Sequence, residues 1–194
     1  RNGRVVLDDL SLTEDYLRGL RRIYIVACGS AYYVGCVGKY VIEKTCRIPV
    51  EPILASEFRY SEPVLGDDTL VIIISQSGET ADTLAATLAI VNVVGSAISK
   101  AASDVIYTWA GPEIAVATTK AYSTQLSVIY LISLYMAQTL GTLLPEQYDA
   151  MVKALVELPD QMEKMLTPEY LEEIRVLAEQ YKEHHDVFFI GRNV

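Results

Sequence analysis

Leu70 to Ile74 reads LVIII, apolar at every position, and this run constrains the fold more than any other. A strand with one wet face alternates apolar and polar residues. An unbroken apolar run needs cover on both faces, as a central strand of a parallel sheet has. A similar run, IYIVA, occupies Ile23 to Ala27, and a weaker one spans Pro49 to Leu54. Leu88 to Val93 and Asp104 to Thr108 have the same β-rich character. Helical patterns lie between them: Tyr32 to Lys44, and a start at Glu79 to Ala86. Ser11, with Glu14 three residues on, has the form of a capping box. Strands alternating with helices predict an α/β fold whose parallel sheet is covered on both sides.

The chain has 194 residues, of which 51% are hydrophobic, enough for one domain with a substantial core and the start of another. Its net charge of −9 argues against nucleic acid and anionic lipid as partners, so a phosphate ligand must be held by local donors. Cys28, Cys36 and Cys46 form no CxxC pair, and their odd number suits a reduced, cytoplasmic protein. The first residues carry no signal-peptide pattern. No charged residue stands between Lys120 and Glu146. This stretch is long enough to span a bilayer, but Ser127, Ser133, Gln138, Thr139 and Thr142 interrupt it and no basic cluster flanks it. The reading is a buried core helix, ended by Pro145.

Polar helical patterns follow, over Glu146 to Lys164 and Pro168 to Lys182. Asp186 to Ile190 (DVFFI), with Gly191 and Arg192, repeats the opening IYIVA-Cys-Gly signature faintly, as if a second α/β unit began there. The expected organisation is a first domain over 1–150, then linker helices and the truncated start of a second domain over 151–194. One connection is too short. A crossover between parallel strands needs a dozen or more residues with its helix and return loop. The sequence from Ser75 to Leu88 leaves almost no return loop, so residues are expected to be missing between Ala86 and Thr87.

The segment that carries chemistry is Ser75-Gln76-Ser77-Gly78-Glu79-Thr80, between the buried strand and a helix. A helix N-terminus presents free N–H groups to an anion. Ser75, Ser77 and Thr80 add hydroxyls, Gln76 adds an amide, and Gly78 admits close approach of the backbone. Charge-assisted hydrogen bonds contribute about 1.5–3 kcal/mol each. Three or four could support the roughly 4–8 kcal/mol of millimolar to micromolar binding. Neither GxxxxGK[ST] nor GxGxxG occurs, so the nucleotide fingerprints are absent and a phosphate monoester fits better. The competing reading is that Ser75 or Ser77 only caps the helix. Cys28-Gly29-Ser30-Ala31 follows the first strand; if that strand and LVIII flank the switch in strand order, both loops face one pocket. Cys28 reads as pocket-lining or as a small buried residue, not as a nucleophile. Gly111 to Lys120 is rich in small residues, and Glu113 and Lys120 are taken as solvent-facing or helix-end groups.

Together, ACGSAY (27–32), ASEFRY (55–60), SQSGETADTL (75–84), AIVNVVGS (89–96) and AGPEIAVATTKAYSTQL (110–126) resemble the isomerase region of the glutamine–fructose-6-phosphate aminotransferases, at its first SIS (sugar isomerase) domain. The resemblance spans essentially the whole chain. It implies a three-layer α/β/α, flavodoxin-like fold with a mainly five-stranded parallel sheet. It also implies a helix about ten residues longer at Ala86–Thr87.

By the same resemblance, Ser75, Gln76, Ser77 and Thr80 would hold a sugar phosphate with help from Ser30, while Cys28, Gly29, Val116, Ala117 and Thr118 would line the sugar. Ser30 stands where the family usually has Thr, which keeps the hydroxyl; Ala31 stands where some members have Ser, which loses one. The family makes glucosamine 6-phosphate from fructose 6-phosphate with ammonia from a glutaminase domain. Its base, histidine and lysine come from the second SIS domain, so no catalytic residue, cofactor or metal is expected here, and His184 and His185 read as solvated. The implied partners are the phosphosugar, the glutaminase and second SIS domains of a parent chain, and a second copy in a homodimer, with no nucleic acid and no membrane. The alternative is a SIS-type phosphosugar-sensing module of a transcription regulator, which would call for a helix-turn-helix and a basic face.

Overall fold

A computed structural model of the chain describes residues 3–7, 9–77, 87–114 and 118–188. It divides into two compact units, Arg1–Tyr148 and Asp149–Val194. The first is built on a five-stranded sheet: β1 (Arg22–Ala27), β2 (Val50–Leu54), β3 (Thr69–Ser75), β4 (Thr87–Val91) and β5 (Asp104–Tyr107). The order is β2-β1-β3-β4-β5, and each neighbouring pair is parallel. LVIII lies at the centre, with Ile72 opposite Ile25 on one side and Leu88 on the other. This is the doubly wound, flavodoxin-like order, in which the direction of strand addition reverses between β1 and β3.

The two faces of the sheet carry separate cores, divided by the two-residue period of the strands. Ile23, Ile25, Leu70, Ile72, Ile74, Leu88 and Ile90 pack with Val34 and Ile42 of α2 (Ser30–Cys46) and Ile129 and Ile132 of α5 (Lys120–Leu140). Tyr24, Val26, Val71, Ile73, Ala89 and Val91 pack with Phe58 of α3 (Ala55–Ser61) and Ile98 of α4 (Ala97–Ala101). All of β3 from Thr69 to Ile74 is buried. At about 1.5–3 kcal/mol per buried aliphatic side chain, its five apolar residues are a leading source of stability. Helix α2 sits close to the sheet because Gly35 and Gly38 face it: a Cβ on Gly35 would lie 3.0 Å from Ile25 Cγ2. Glu43 ties the end of α2 to β2, accepting from Val50 N–H at 3.0 Å and Lys39 Nζ at 2.7 Å. These bonds, led by Lys39, hold its carboxyl below the ordinary range.

Several sequence expectations need correction. The capping box does not form. Helix α1 (Glu14–Gly19) is capped by Thr13, which accepts from Tyr16 N–H, while Ser11 donates through its N–H and hydroxyl to Asp104 at 2.8 and 2.7 Å. The carboxylate at the start of β5 thus captures the residue that local pattern assigned to the helix. Helix α2 begins at Ser30 rather than Tyr32. Helix α5 ends at Leu140, closed by Gly141 in the left-handed conformation; Pro145 instead opens α6 (Pro145–Met165), where its missing N–H costs nothing. Among the described residues no helix is long and apolar enough to cross a membrane. The short helices α3 and α4 carry too little pattern to be read from sequence.

In the second unit, the rest of α6 is followed by α7 (Pro168–Tyr181), which is capped by Thr167 and has no buried residue. Asp186 to Phe188, the described part of the DVFFI repeat, are not in a strand, and Phe188 is exposed. The helix expected over Glu79 to Ala86 lies outside the described residues, as do Ile190, Gly191 and Arg192.

Candidate functional site

A cleft of about 230 Å³ opens where β1 and β3 end side by side, at the switch point. Its floor is Val26, Ala27, Ile73 and Ile74, its walls include Cys28, Ser30, Ala31, Ser75, Gln76 and Ser77, and Ala55, Thr118 and Gln125 complete it. The condition set by the sequence is met: the loops after IYIVA and LVIII face one pocket. Of the ten residues expected at the site, Cys28, Ser30, Ser75, Gln76, Ser77 and Thr118 line it. Gly29 stands between two of them. Thr80, Val116 and Ala117 lie outside the described residues.

Gly29 takes φ +57° and ψ −136°, which an L side chain rarely adopts, and it caps α2. That turn starts the helix at Ser30, so the first turn of a 17-residue helix begins at the cleft. Its free N–H groups and dipole favour an anion there. No hydrogen bond to another described residue engages the hydroxyls of Ser30, Ser77 or Thr118. Gln76 Oε1 is buried without a partner among the described residues. Among the described residues no lysine or arginine lines the cleft, so hydroxyls, amides and backbone are the polar groups they bring to it. Cys28 is exposed at the cleft, which removes the buried alternative for it, whereas Cys46 is buried and its thiol is pushed up to about 11 by burial, against a smaller opposing effect of Thr45.

Asn92, which the sequence did not single out, organises the loop that follows β5. Its Oδ1 accepts from Ala110 N–H at 2.8 Å and from the Thr108 hydroxyl at 3.1 Å, and its Nδ2 donates to Gly111 O at 2.7 Å. Trp109 is held at φ +51° inside this cluster. Lys120 Nζ donates to Pro112 O at 2.6 Å, a structural tie at the helix start as expected. Glu113 differs from the solvated group expected, because its Oε2 is buried without a partner among the described residues. Gln125 was also missed. Only its position on the inner face of an apolar helix could have signalled it.

The SIS domain family profile matches residues 16–135. The chain belongs to the SIS domain family. Two relatives of this SIS chain are both glutamine–fructose-6-phosphate aminotransferases [isomerizing]. That of Clostridium perfringens is 50% identical over 201 residues, covering 98% of this chain and 32% of the relative. That of Clostridium tetani is 49% identical over 200 residues, covering 98% and 33%. The chain thus spans about a third of the length of these relatives. The solved C-terminal domain of glucosamine-fructose-6-phosphate aminotransferase from Francisella tularensis superposes with a TM-score of 0.83 at 32% identity, covering 94% of this chain and 54% of that one. A further aminotransferase, from Caldanaerobacter subterraneus, aligns over 203 positions. With only 194 residues here, at least nine of those positions have no counterpart in this chain. A deletion at Ala86–Thr87 would account for them.

Proposed function

We propose that this SIS domain is the sugar-phosphate-binding part of the isomerase region of a glutamine-dependent aminotransferase that makes glucosamine 6-phosphate from fructose 6-phosphate. The observation that carries the reading is the switch-point cleft, where two loops bring the unengaged hydroxyls of Ser30 and Ser77, a buried amide oxygen and a helix N-terminus together with no lysine or arginine among the described lining residues. Such a cradle suits a phosphate monoester that must bind and leave. Ser75, Gln76, Ser77 and Thr80 hold the phosphate with Ser30; Cys28, Gly29, Val116, Ala117 and Thr118 line the sugar. The names of the relatives support the reaction.

The base, histidine and lysine of the chemistry come from a second SIS domain, of which residues 151–194 are the linker and beginning, and ammonia comes from a glutaminase domain. A homodimer in the cytoplasm completes the reading. The chain alone therefore binds fructose 6-phosphate and does not turn it over. Titration with fructose 6-phosphate, followed through the Ser75–Ser77 amides by NMR, is expected to show saturable shifts in the millimolar to micromolar range. Replacing Ser77 and Thr80 together by alanine removes two charge-assisted bonds and weakens binding by about a hundredfold or more. Unchanged affinity in that double variant, or glucosamine 6-phosphate formed from fructose 6-phosphate and ammonia by the chain alone, would contradict the proposal.

A further inference from the structure

Gln125 is a polar exception on the inward face of α5. Its neighbours on that face, Ala121, Val128, Ile129 and Ile132, are buried and apolar, and helical spacing calls for an apolar residue at 125 as well. The residue there is instead an amide, 2% exposed, lining the cleft with Thr118, Ser75 and Gln76. No hydrogen bond to another described residue engages it. An amide on this apolar face that bonds to no described residue has its hydrogen-bonding capacity left for what the cleft holds, which gives its place in the helix a reason beyond folding.

An amide offers two donors and an acceptor. A phosphate dianion can use only the donors; the acceptor needs a hydroxyl or ammonium hydrogen. Gln76 presents an unpartnered carbonyl oxygen in the same cleft. Two amides therefore match a ligand that carries hydroxyls as well as a phosphate. We propose that Gln125 is a ligand-contacting residue of the cleft, its amide hydrogen-bonded to the hydroxyl-bearing part of the bound phosphate ester. The inference rests on the sugar-phosphate reading of the cleft and adds to it a residue from α5, outside both loops.

The test is isothermal titration of the chain and its Gln125→Met variant with fructose 6-phosphate and with inorganic phosphate, together with thermal unfolding of both proteins. Methionine keeps the volume and removes the amide. Fructose 6-phosphate should bind about five- to tenfold more weakly. Inorganic phosphate should bind unchanged within about twofold, and the unliganded variant should melt at the same temperature or higher, since a buried polar group has gone. Fructose 6-phosphate affinity unchanged within about twofold overturns the inference. So does a lower melting temperature with equal losses for both ligands, the result expected of a residue that only supports the fold. A Met variant that fails to fold would be replaced by Gln125→Leu, and failure of both to fold also assigns the amide to structure and overturns it. A flat titration of the unaltered chain is a different failure: it removes the cleft reading itself, and Gln125 with it.

Discussion

At the residue scale, the least expected partner is Asp104. Its buried carboxylate takes both hydrogen bonds that Ser11 can donate, which fastens the N-terminal segment beneath the sheet. Removing it breaks two charge-assisted, part-buried hydrogen bonds from Ser11, which is itself exposed, so Asp104→Ala should lose about 1–2 kcal/mol of stability, read from urea denaturation. A loss under about 0.5 kcal/mol would mean that Ser11 finds water instead. Cys46 gives a pH-dependent counterpart. Its thiol is pushed up to about 11 in the folded chain, chiefly by burial. The unfolded chain ionises first, so the contribution of Cys46 is complete below the ordinary thiol range, about 8.5, and is lost as pH rises from there to about 11. Over that interval the unaltered chain should lose about 2–3 kcal/mol more than Cys46→Ala does. Parallel stability curves for the two would show that Cys46 is not the group responsible. Neither residue announces itself in sequence: Asp104 is one acid at the start of a strand pattern, and a lone cysteine carries no sign of its burial.

Among elements, what could be read depended on the length and purity of the pattern. LVIII and IYIVA stood out because both their faces are buried, and the long helix stood out because nothing charged interrupts it. The ends were less visible, since Gly141 and Thr13 act through backbone geometry and caps whose partners tertiary packing decides. At the candidate site the loop residues were legible because hydroxyls and amides between a strand and a helix are unusual. Asn92 and Gln125 were not, because a loop anchor and a core-facing amide are recognised only from what surrounds them. Gly35 is a similar case, a helix interior glycine whose reason is the sheet beneath it. Ile25 Cγ2 stands 3.0 Å from where a Cβ would be, and a β-branched side chain in a strand cannot swing away. Gly35→Ala gains about 1 kcal/mol of helix propensity and meets an overpacking cost of about 1–3 kcal/mol. The expected balance is a loss of up to about 2 kcal/mol by chemical denaturation, and a more stable variant would show that the contact relaxes freely.

For the whole molecule, the question is how the parallel connection from β3 to β4 is completed. Residues 76–86 make it, eleven in all between Ser75 and Thr87. A strand of five residues such as β4 is about 16 Å long, and a helix returning over that distance at 1.5 Å per residue uses about eleven residues, leaving none for the two loops. The first of those loops begins at Gln76 and Ser77, which line the cleft, so any shortage of chain falls on the candidate site itself. The relatives have at least nine positions more than this chain. A helical insert of ten residues between Ala86 and Thr87, such as a Glu-, Ala- and Lys-rich turn-forming segment, should therefore relieve the connection. The inserted chain should unfold at a higher urea concentration and bind fructose 6-phosphate more tightly, because a complete helix presents its N-terminus to the phosphate without strain on the loop. Should both quantities stay level, eleven residues suffice for this crossover, and the unmatched positions of the relatives belong elsewhere in the chain.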